Sequence, residues 1–410
     1  MKINKVGAKA GMVNKRTTFN EGVLAVAVSI AICLILYVAL VSTLPVTLLM
    51  LALGLCLIIV GERNKSIEKV YEVMENQKAK AFIVVMVFVL ILPLFVSGNS
   101  YIMHIAIMAG IYSIIALGLN FQLGSAGMVN FAPAAFYGAG AYTSAILAVK
   151  YGVSPWIGMI FAIIMASLLG FIFGYPALKT RGYYLSLVTI AFQVIFTLMI
   201  INTDWVGGPN GIPGIPGYQI FGYSFRKPLE IFTVKLSYQT NYFYLVFLLV
   251  GLAAIVASRL YNSRIGLAWN AIEQDEIVAS TQGINLTKIK LLAFSLGAAF
   301  AGVAGALYAH YISFIGNEDF DFSKSLVLIC MVILGGMDNV LGVILGAIML
   351  TIMDEKLRDF ADYRMLMYAI ILIIILLVRP QGLLPKRNRK YETGDGLDEK
   401  INIKAVLGGK

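Results

Sequence analysis

The residue types that usually carry chemistry are scarce in these 410 residues, which include two histidines and three cysteines. His104 and His310 fall near the ends of apolar runs, far from each other, and read as interfacial side chains rather than bases or ligands. Cys33, Cys56 and Cys330 lie inside apolar runs without metal spacing, so neither a zinc site nor a disulfide framework is implied. The outer run Trp205–Gly217 resembles a phosphate loop only superficially, because no Gly-Lys-Ser/Thr ending follows. Its glycines and prolines make a stiffened connector or a surface for a partner, with Gly207, Gly208, Pro209, Asn210 and Gly211 as the candidate residues. No carboxylate falls at mid-span, which speaks against a proton- or sodium-coupled pump. Glu318, Asp319 and Asp321 read as a solvated outer loop.

Polar and small residues in unusual places are more informative. Between Gly118 and Tyr142, Asn120, Gln122 and Asn130 fall at or near membrane depth, where an unpaired amide is costly. Pro133 interrupts the backbone ladder there, and irregular backbone is tolerated only inside protein or beside a watery cavity. Small residues, Gly138 and Gly140 among them, allow helix backbones to approach closely. Each residue alone fits simple helix packing. Together, Asn120, Gln122, Asn130, Pro133, Gly138, Gly140 and Tyr142 make a candidate translocation pathway.

The second informative stretch runs from Ser258 to Asn285 and is too polar to span a bilayer. Leu267, Ala271 and Val278 recur near one helical face, and Glu273, Asp275 and Glu276 give a polar side. Gly283 is a natural C-cap. The pattern predicts one short amphipathic helix over about 266–283. A helix lying on headgroups usually shows Lys and Arg to the lipid, whereas this one carries three acids, which favours a protein partner.

These segments must be positioned by spans. The composition is 59% hydrophobic and 13% charged, against about 25% charged in an ordinary soluble domain. That excludes a soluble enzyme, a nucleic-acid-binding domain and a disordered chain. Apolar runs occur at 22–41, 44–60, 81–97, 101–123, 128–149, 155–175, 183–201, 242–258, 291–311, 324–336, 339–353 and 365–378. The chain therefore reads as an all-α polytopic membrane protein of about twelve apolar segments, ten full spans plus a hairpin or re-entrant pair over 324–353. The first run is expected to be a span rather than a cleaved leader.

Charge bookkeeping sets the sides. With the N-terminus inside and every segment crossing, 24 of the 32 basic residues fall inside; if 324–353 crosses only once the split is 19 to 13. The excess of Lys and Arg expected on the cytoplasmic side prefers the broken form. Both ends are then cytoplasmic, 202–241 is a large outer loop, and 61–80 and 259–290 are large inner loops. Residues 1–80 form an N-terminal two-helix extension, 81–386 a core, and 387–410 a solvated tail.

At these same segments the sequence resembles the permease subunits of branched-chain amino-acid ABC importers, of the LivM rather than the LivH type. The likeness runs from about Tyr101 to Pro385. It rests on the Gly118–Tyr142 block, Arg181-Gly182-Tyr183-Tyr184, the Gly207–Pro213 loop, Ser263-Arg264-Ile265-Gly266, Asp275-Glu276-Ile277 with Gly283-Ile284-Asn285, Leu334-Gly335-Gly336-Met337 and Arg379-Pro380-Gln381-Gly382. Where the family often has Gly-His, this chain has Ala132-Pro133, and Ile277 replaces the leading Glu of the family's inner-loop motif.

The resemblance implies an ABC importer permease fold in the bacterial inner membrane. It implies a heterodimer with a LivH-like permease, two cytosolic ATP-binding subunits and an extracytoplasmic substrate-binding protein. ATP and Mg would belong to the ATP-binding subunits, with no cofactor and no enzymatic step in this chain. The 266–283 segment would be the coupling helix that docks on the ATPase, through Arg264, Gly266, Glu273, Asp275, Glu276, Ala279 and Gly283. Leucine, isoleucine and valine are the implied substrates. Urea, short amides or other amino acids are alternatives, and a stand-alone channel or secondary carrier is the alternative mode.

Overall fold

Lipid cannot hydrogen-bond a peptide group, so a chain this apolar closes its backbone bonds within helices. A computed structural model bears this out. It describes residues 4–42, 77–96, 99–177, 183–220, 222–231, 234–379 and 381–384, with isolated positions between 45 and 54. Most of the 44–60 run and of the 61–80 loop, together with Arg181, Gly182 and the tail from 385 on, lie outside the described residues.

In chain order the helices are α1 (Asn4–Val41), α2 (Lys78–Phe95), α3 (Ser100–Asn120), α4 (Pro133–Tyr151), α5 (Pro155–Ala177), α6 (Tyr183–Ile201), α7 (Gln239–Tyr261), α8 (Arg264–Gln274), α9 (Glu276–Thr281), α10 (Leu286–Ile312), α11 (Phe322–Gly335), α12 (Val340–Lys356) and α13 (Arg364–Val378). A π-helical turn, Phe121–Ser125, extends α3. Short strand pairs decorate the outer side: β1 (Ile212–Pro213) pairs antiparallel with β6 (Phe314–Ile315), β2 (Gln219–Ile220) with β3 (Tyr223–Ser224), and β4 (Leu229–Ile231) with β5 (Val234–Leu236).

Six helices among the described residues are long and apolar enough to cross a membrane: Gly22–Val41, Ser100–Ser125, Pro155–Pro176, Tyr184–Ile201, Gln239–Tyr261 and Leu286–Ile312. Two of the other runs expected as segments, 128–149 and 324–336, fall short for identifiable reasons. α4 is rich in Gly, Ala and Tyr rather than in aliphatic residues, and it is buried along most of its length. A helix surrounded by protein does not need lipid-grade side chains. α11 has only 14 residues, about 21 Å at 1.5 Å per residue, against about 30 Å of hydrocarbon.

Burial sorts the bundle into a centre and a rim. The most apolar windows of α3 and α10 are 89% and 72% buried, while those of α5, α6 and α7 are each 28% buried and present aliphatic faces outward. α10 is the hub and packs on α5, α4 and α3, while α3 also packs on α12 and α7. The close approach of α4 to α10 rests on glycine: a Cβ on Gly140 would sit 2.6 Å from the Gly302 carbonyl oxygen. α11 and α12 form an antiparallel hairpin whose turn holds Gly336 at φ 108° and Asp338 at φ 64°. Asn339 caps α12 by accepting from Gly342 N–H at 3.1 Å. The turn lies beside the end of the chain's core, where Leu383 N–H donates to Leu334 O at 2.8 Å and Leu384 N–H to Gly335 O at 3.1 Å.

Contacts group the connectors into two ends. The π turn, α8–α9, the hairpin turn and 381–384 meet at one end, the inner one on the charge tally. The start of α3, the 202–231 connector and 313–321 meet at the other.

Candidate functional site

The inner end is built from caps and one tryptophan. Ser263 accepts from Ile265 and Gly266 N–H (3.2 and 3.5 Å) and so starts α8. Gly266 lies against the end of α7, where a Cβ would meet the Tyr261 carbonyl oxygen at 2.3 Å. Trp269 is fully buried, donates from Nε1 to Ile289 O at 2.9 Å, and stacks on Phe121 with ring centroids 5.5 Å apart. α8 is thereby fixed to both α10 and the π turn.

The single helix expected over 266–283 is two. Asp275 adopts extended backbone (φ −158°, ψ 113°), ends α8, and turns its carboxylate onto Ile277 and Val278 N–H at 2.8 and 3.1 Å as the N-cap of α9. The periodicity is continuous across this break because a capping Asp costs the apolar pattern nothing. Ala279 is buried, and α9 closes through Ile284 N–H donating to Ala279 O at 3.2 Å, with Gly283 at φ 82°. Glu276 pairs with Lys290 at 2.6 Å. Arg264, Leu267, Glu273, Ile277 and Val278 are exposed, Ile277 at 76% and Val278 at 55%. Aliphatic side chains and acids thus share one free face.

Behind this face the three amides named from the sequence are buried and bonded. Asn120 Nδ2 donates to Tyr261 Oη at 2.6 Å, and its Oδ1 accepts from Asp338 N–H at 2.8 Å. Ser125 Oγ donates to Asp338 Oδ1 at 2.6 Å. Asn130 Nδ2 donates to Gln122 Oε1 at 2.7 Å, Gln122 Nε2 reaches Phe294 O at 3.2 Å, and Asn130 Oδ1 accepts from Ala132 N–H at 2.9 Å. These bonds satisfy the irregular stretch 121–132 inside protein, as membrane depth requires. Pro133 does not interrupt a helix; it is the first residue of α4, where no N–H is needed. Gly138 faces Phe196 and Phe320, and Tyr142 is buried beside Phe320 at 5.6 Å.

Several members of this network escaped the sequence reading: Tyr261, Gln193 and Asp338, with Thr189, whose Oγ1 accepts from Phe131 N–H at 3.0 Å, and Ser325, whose Oγ accepts from Ala134 N–H at 3.1 Å. Gln193 Oε1 accepts from Ala135 N–H at 2.8 Å, and its Nε2 donates to Phe320 O at 2.8 Å, serving the first turn of α4. Its amide within the apolar run 183–201 was the available signal. Asp338 had none, since a Gly-rich turn outside the spans disguises a buried carboxylate.

The outer end is pinned by His310, which is fully buried rather than interfacial. Its Nδ1 lies 2.6 Å from Pro216 O, which can only accept, so the proton sits on Nδ1 and Nε2 accepts from Ser144 Oγ at 2.7 Å. Tyr242 Oη donates to His310 O at 3.0 Å. Gly208 and Gly211 are buried, Gly207 is half-buried, and Pro209 and Asn210 are exposed beside the exposed Trp205, over which Lys150 Nζ sits 4.7 Å from the ring centroid. Burial pushes the Tyr218 phenol in this loop well above its ordinary value. Asp319 and Asp321, expected to be solvated, are half-buried: they accept from Gly316 and Lys324 N–H at 3.0 and 2.9 Å.

A family model described as branched-chain amino acid transport system, permease component, matches residues 101–378. The chain is 38% identical over 333 residues to the high-affinity branched-chain amino acid transport system permease protein LivM of Salmonella typhimurium, covering 78% of each chain. It is 25% identical over 329 residues to a probable LivM of Methanocaldococcus jannaschii, covering 68% of this chain and 91% of the relative. The LivH permease of Escherichia coli is 27% identical over 287 residues, covering 67% of this chain and 91% of its own. No solved structure matches the chain significantly.

Proposed function

The chain belongs to the branched-chain amino acid permease family, and we propose that it forms one half of the membrane pathway of an ATP-driven importer for leucine, isoleucine and valine. On this reading a LivH-like permease supplies the other half, two cytosolic subunits hydrolyse ATP, and an extracytoplasmic binding protein delivers substrate to the outer end near Trp205–Gly211. ATP and Mg bind the cytosolic subunits. The protein sits in a bacterial inner membrane with both ends cytoplasmic, in keeping with the excess of Lys and Arg on that side.

One observation carries the proposal: the free face of α8 and α9. Ile277, Val278 and Leu267 stand exposed among Glu273, Asp275 and Glu276, on elements fixed from behind by Trp269. Exposed aliphatics rimmed by polar groups mark a protein contact. A push on this face reaches the bundle through rigid elements: Trp269 bears on Phe121, and Tyr261, the last residue of α7, holds Asn120, which holds the hairpin turn. Alternating access needs such a connection between a motor and the spans, because only a contact that differs between two states shifts their balance. A substrate with an apolar side chain and a compact zwitterionic head suits a charge-poor passage.

The test is ATP-driven leucine uptake by the assembled importer in proteoliposomes. Ile277→Asp with Val278→Asp is expected to lower uptake by about tenfold or more, as losses at central contact residues do, with normal membrane insertion. Uptake equal to the unmodified importer removes the docking role.

A further inference from the structure

The π turn at the inner end is held at both of its ends by one residue of another element. Ala126 N–H donates to Phe121 O, five residues back, at 3.2 Å, which is the bond that defines the turn. Such turns are rare and cluster at functional sites. Asp338, between α11 and α12, donates its N–H to Asn120 Oδ1 at 2.8 Å, just before the turn begins. Its Oδ1 accepts from Ser125 Oγ at 2.6 Å, at the residue where the turn ends. All three residues are buried, Asn120 and Ser125 fully so. Two backbone features permit this approach. A Cβ placed on Gly124 would collide with Asn120 Oδ1 and with the Asp338 backbone N. Asp338 itself stands at φ 64°, a conformation costly for most side chains but tolerated by Asp. Non-glycine residues held there cluster where the backbone is set for a function.

On its other side the turn faces α8 and the end of α7. Phe121 stacks on Trp269 and meets Tyr261 edge-on, with ring centroids 5.5 and 5.4 Å apart. A Cβ on Gly127 would lie 3.3 Å from Glu273 Cγ. The turn is therefore sandwiched between the docking element and the hairpin. A segment with one residue more than an α-helical turn can absorb a push by tightening. Clasped at both ends by Asp338 it cannot tighten, and a displacement of Phe121 passes on to the hairpin turn.

We propose that Asp338 is a positioning residue for coupled transport: its clasp on Asn120 and Ser125 keeps the 121–125 turn from yielding, so that movement of α8 becomes movement of the α11–α12 hairpin. With the clasp open, the turn takes up the displacement itself. ATP hydrolysis then continues while less substrate is delivered. The inference rests on the importer reading and deepens it, because it names the residue on which the transmission from α8 to the hairpin depends.

The experiment uses the complete importer in proteoliposomes, with leucine uptake and ATP hydrolysis measured together. Asp338→Gly removes the carboxylate and keeps the backbone N–H, and glycine adopts a positive φ readily. It is expected to raise the ATP hydrolysed per leucine delivered about fivefold or more, within the usual range of coupling between sites. Ser125→Ala should do the same, and the two changes together should do no more than either, because they remove one bond. Asp338→Asn keeps an acceptor for Ser125 Oγ and tolerates the same backbone, so it should restore the ratio. A purely structural role would lower uptake and hydrolysis in proportion, with fewer assemblies active and the ratio unchanged. That result overturns the inference and leaves the importer reading intact. Asp338→Asn as uncoupled as Asp338→Gly overturns it as well, since the bond to Ser125 would then not matter. If the unmodified assembly shows no ATP-dependent uptake of leucine, isoleucine or valine, the importer reading fails and takes the clasp with it.

Discussion

The two ends of the bundle solve the same problem by opposite means. Both must hold a polar, irregular segment against a helical core. At the outer end, one side chain serves several elements: His310 joins α10, α4 and the Pro216 loop, and the β1–β6 pair clips 212–213 to 314–315. At the inner end, local caps shape each piece, Ser263 for α8 and Asp275 for α9, and Trp269, Gly266 and the Glu276–Lys290 pair hold them to the spans from one side. The outer connector is therefore tied into the bundle by side chains that each join several elements, whereas the inner one is a stiff body held from one side with its other face exposed. A surface that transmits motion is better built in the second way.

The sharpest break in that contrast comes at Trp269. Truncating a buried Trp to Ala costs about 3–5 kcal/mol, and here it also leaves the Ile289 carbonyl without its donor and Phe121 without its stacked ring. Trp269→Ala is expected to loosen α8–α9 as a unit. Hydrogen exchange at 264–281 should rise to that of a fraying segment while 212–218 keeps its protection, and leucine uptake should fall with ATP hydrolysis no longer responding to substrate. Equal loss of protection at both ends would mean that the ends are not independent.

The reciprocal change is His310→Ala. It strands the Ser144 hydroxyl and the Pro216 carbonyl, at about 1–3 kcal/mol for each buried group left unpaired. Protection should drop at 212–218 and stay at 264–281. Response of uptake to the binding protein should weaken before docking of the ATP-binding subunits does.

How much of this was legible in the sequence follows the same division. Apolar runs announced the helices of the rim because lipid-facing faces must be aliphatic, so 155–175, 183–201 and 242–258 fall within α5, α6 and α7 to within a few residues. The centre was harder. α4 is masked by its Gly, Ala and Tyr content, and the 128–149 run conceals an irregular stretch before Pro133. The amides Asn120, Gln122 and Asn130 were visible as anomalies, but partners of Asn120 and Gln122 lie 141 to 218 residues away, and a single sequence carries no trace of pairing over such distances. His310 sits near the end of an apolar run, which is where an interfacial histidine also sits; its burial depends on a loop about 94 residues earlier in the chain. The inner acids were read as a polar face, yet Asp275 acts first as a cap, a role that periodicity does not register.

That double reading of Asp275 gives the smallest effect and the finest discrimination. As an N-cap, its loss in Asp275→Ala should cost about 1 kcal/mol, seen as an increase of about fivefold in hydrogen exchange confined to 276–281. As one of the three acids on the free face, it also carries charge towards whatever docks there. Asp275→Ser separates the two roles, because a serine hydroxyl caps nearly as well as the carboxylate and carries no charge. If capping is the whole role, the serine variant restores both the protection of α9 and leucine uptake. If the charge is read by the docked subunit, protection returns while uptake stays reduced, with the deficit shrinking as salt is raised and the surface interaction is screened in the unmodified importer as well. At the pinned outer end an equivalent swap at Asp321, which caps α11 through Lys324 N–H, should restore everything that alanine removes, because among the described residues the cap is the one hydrogen bond that carboxylate makes.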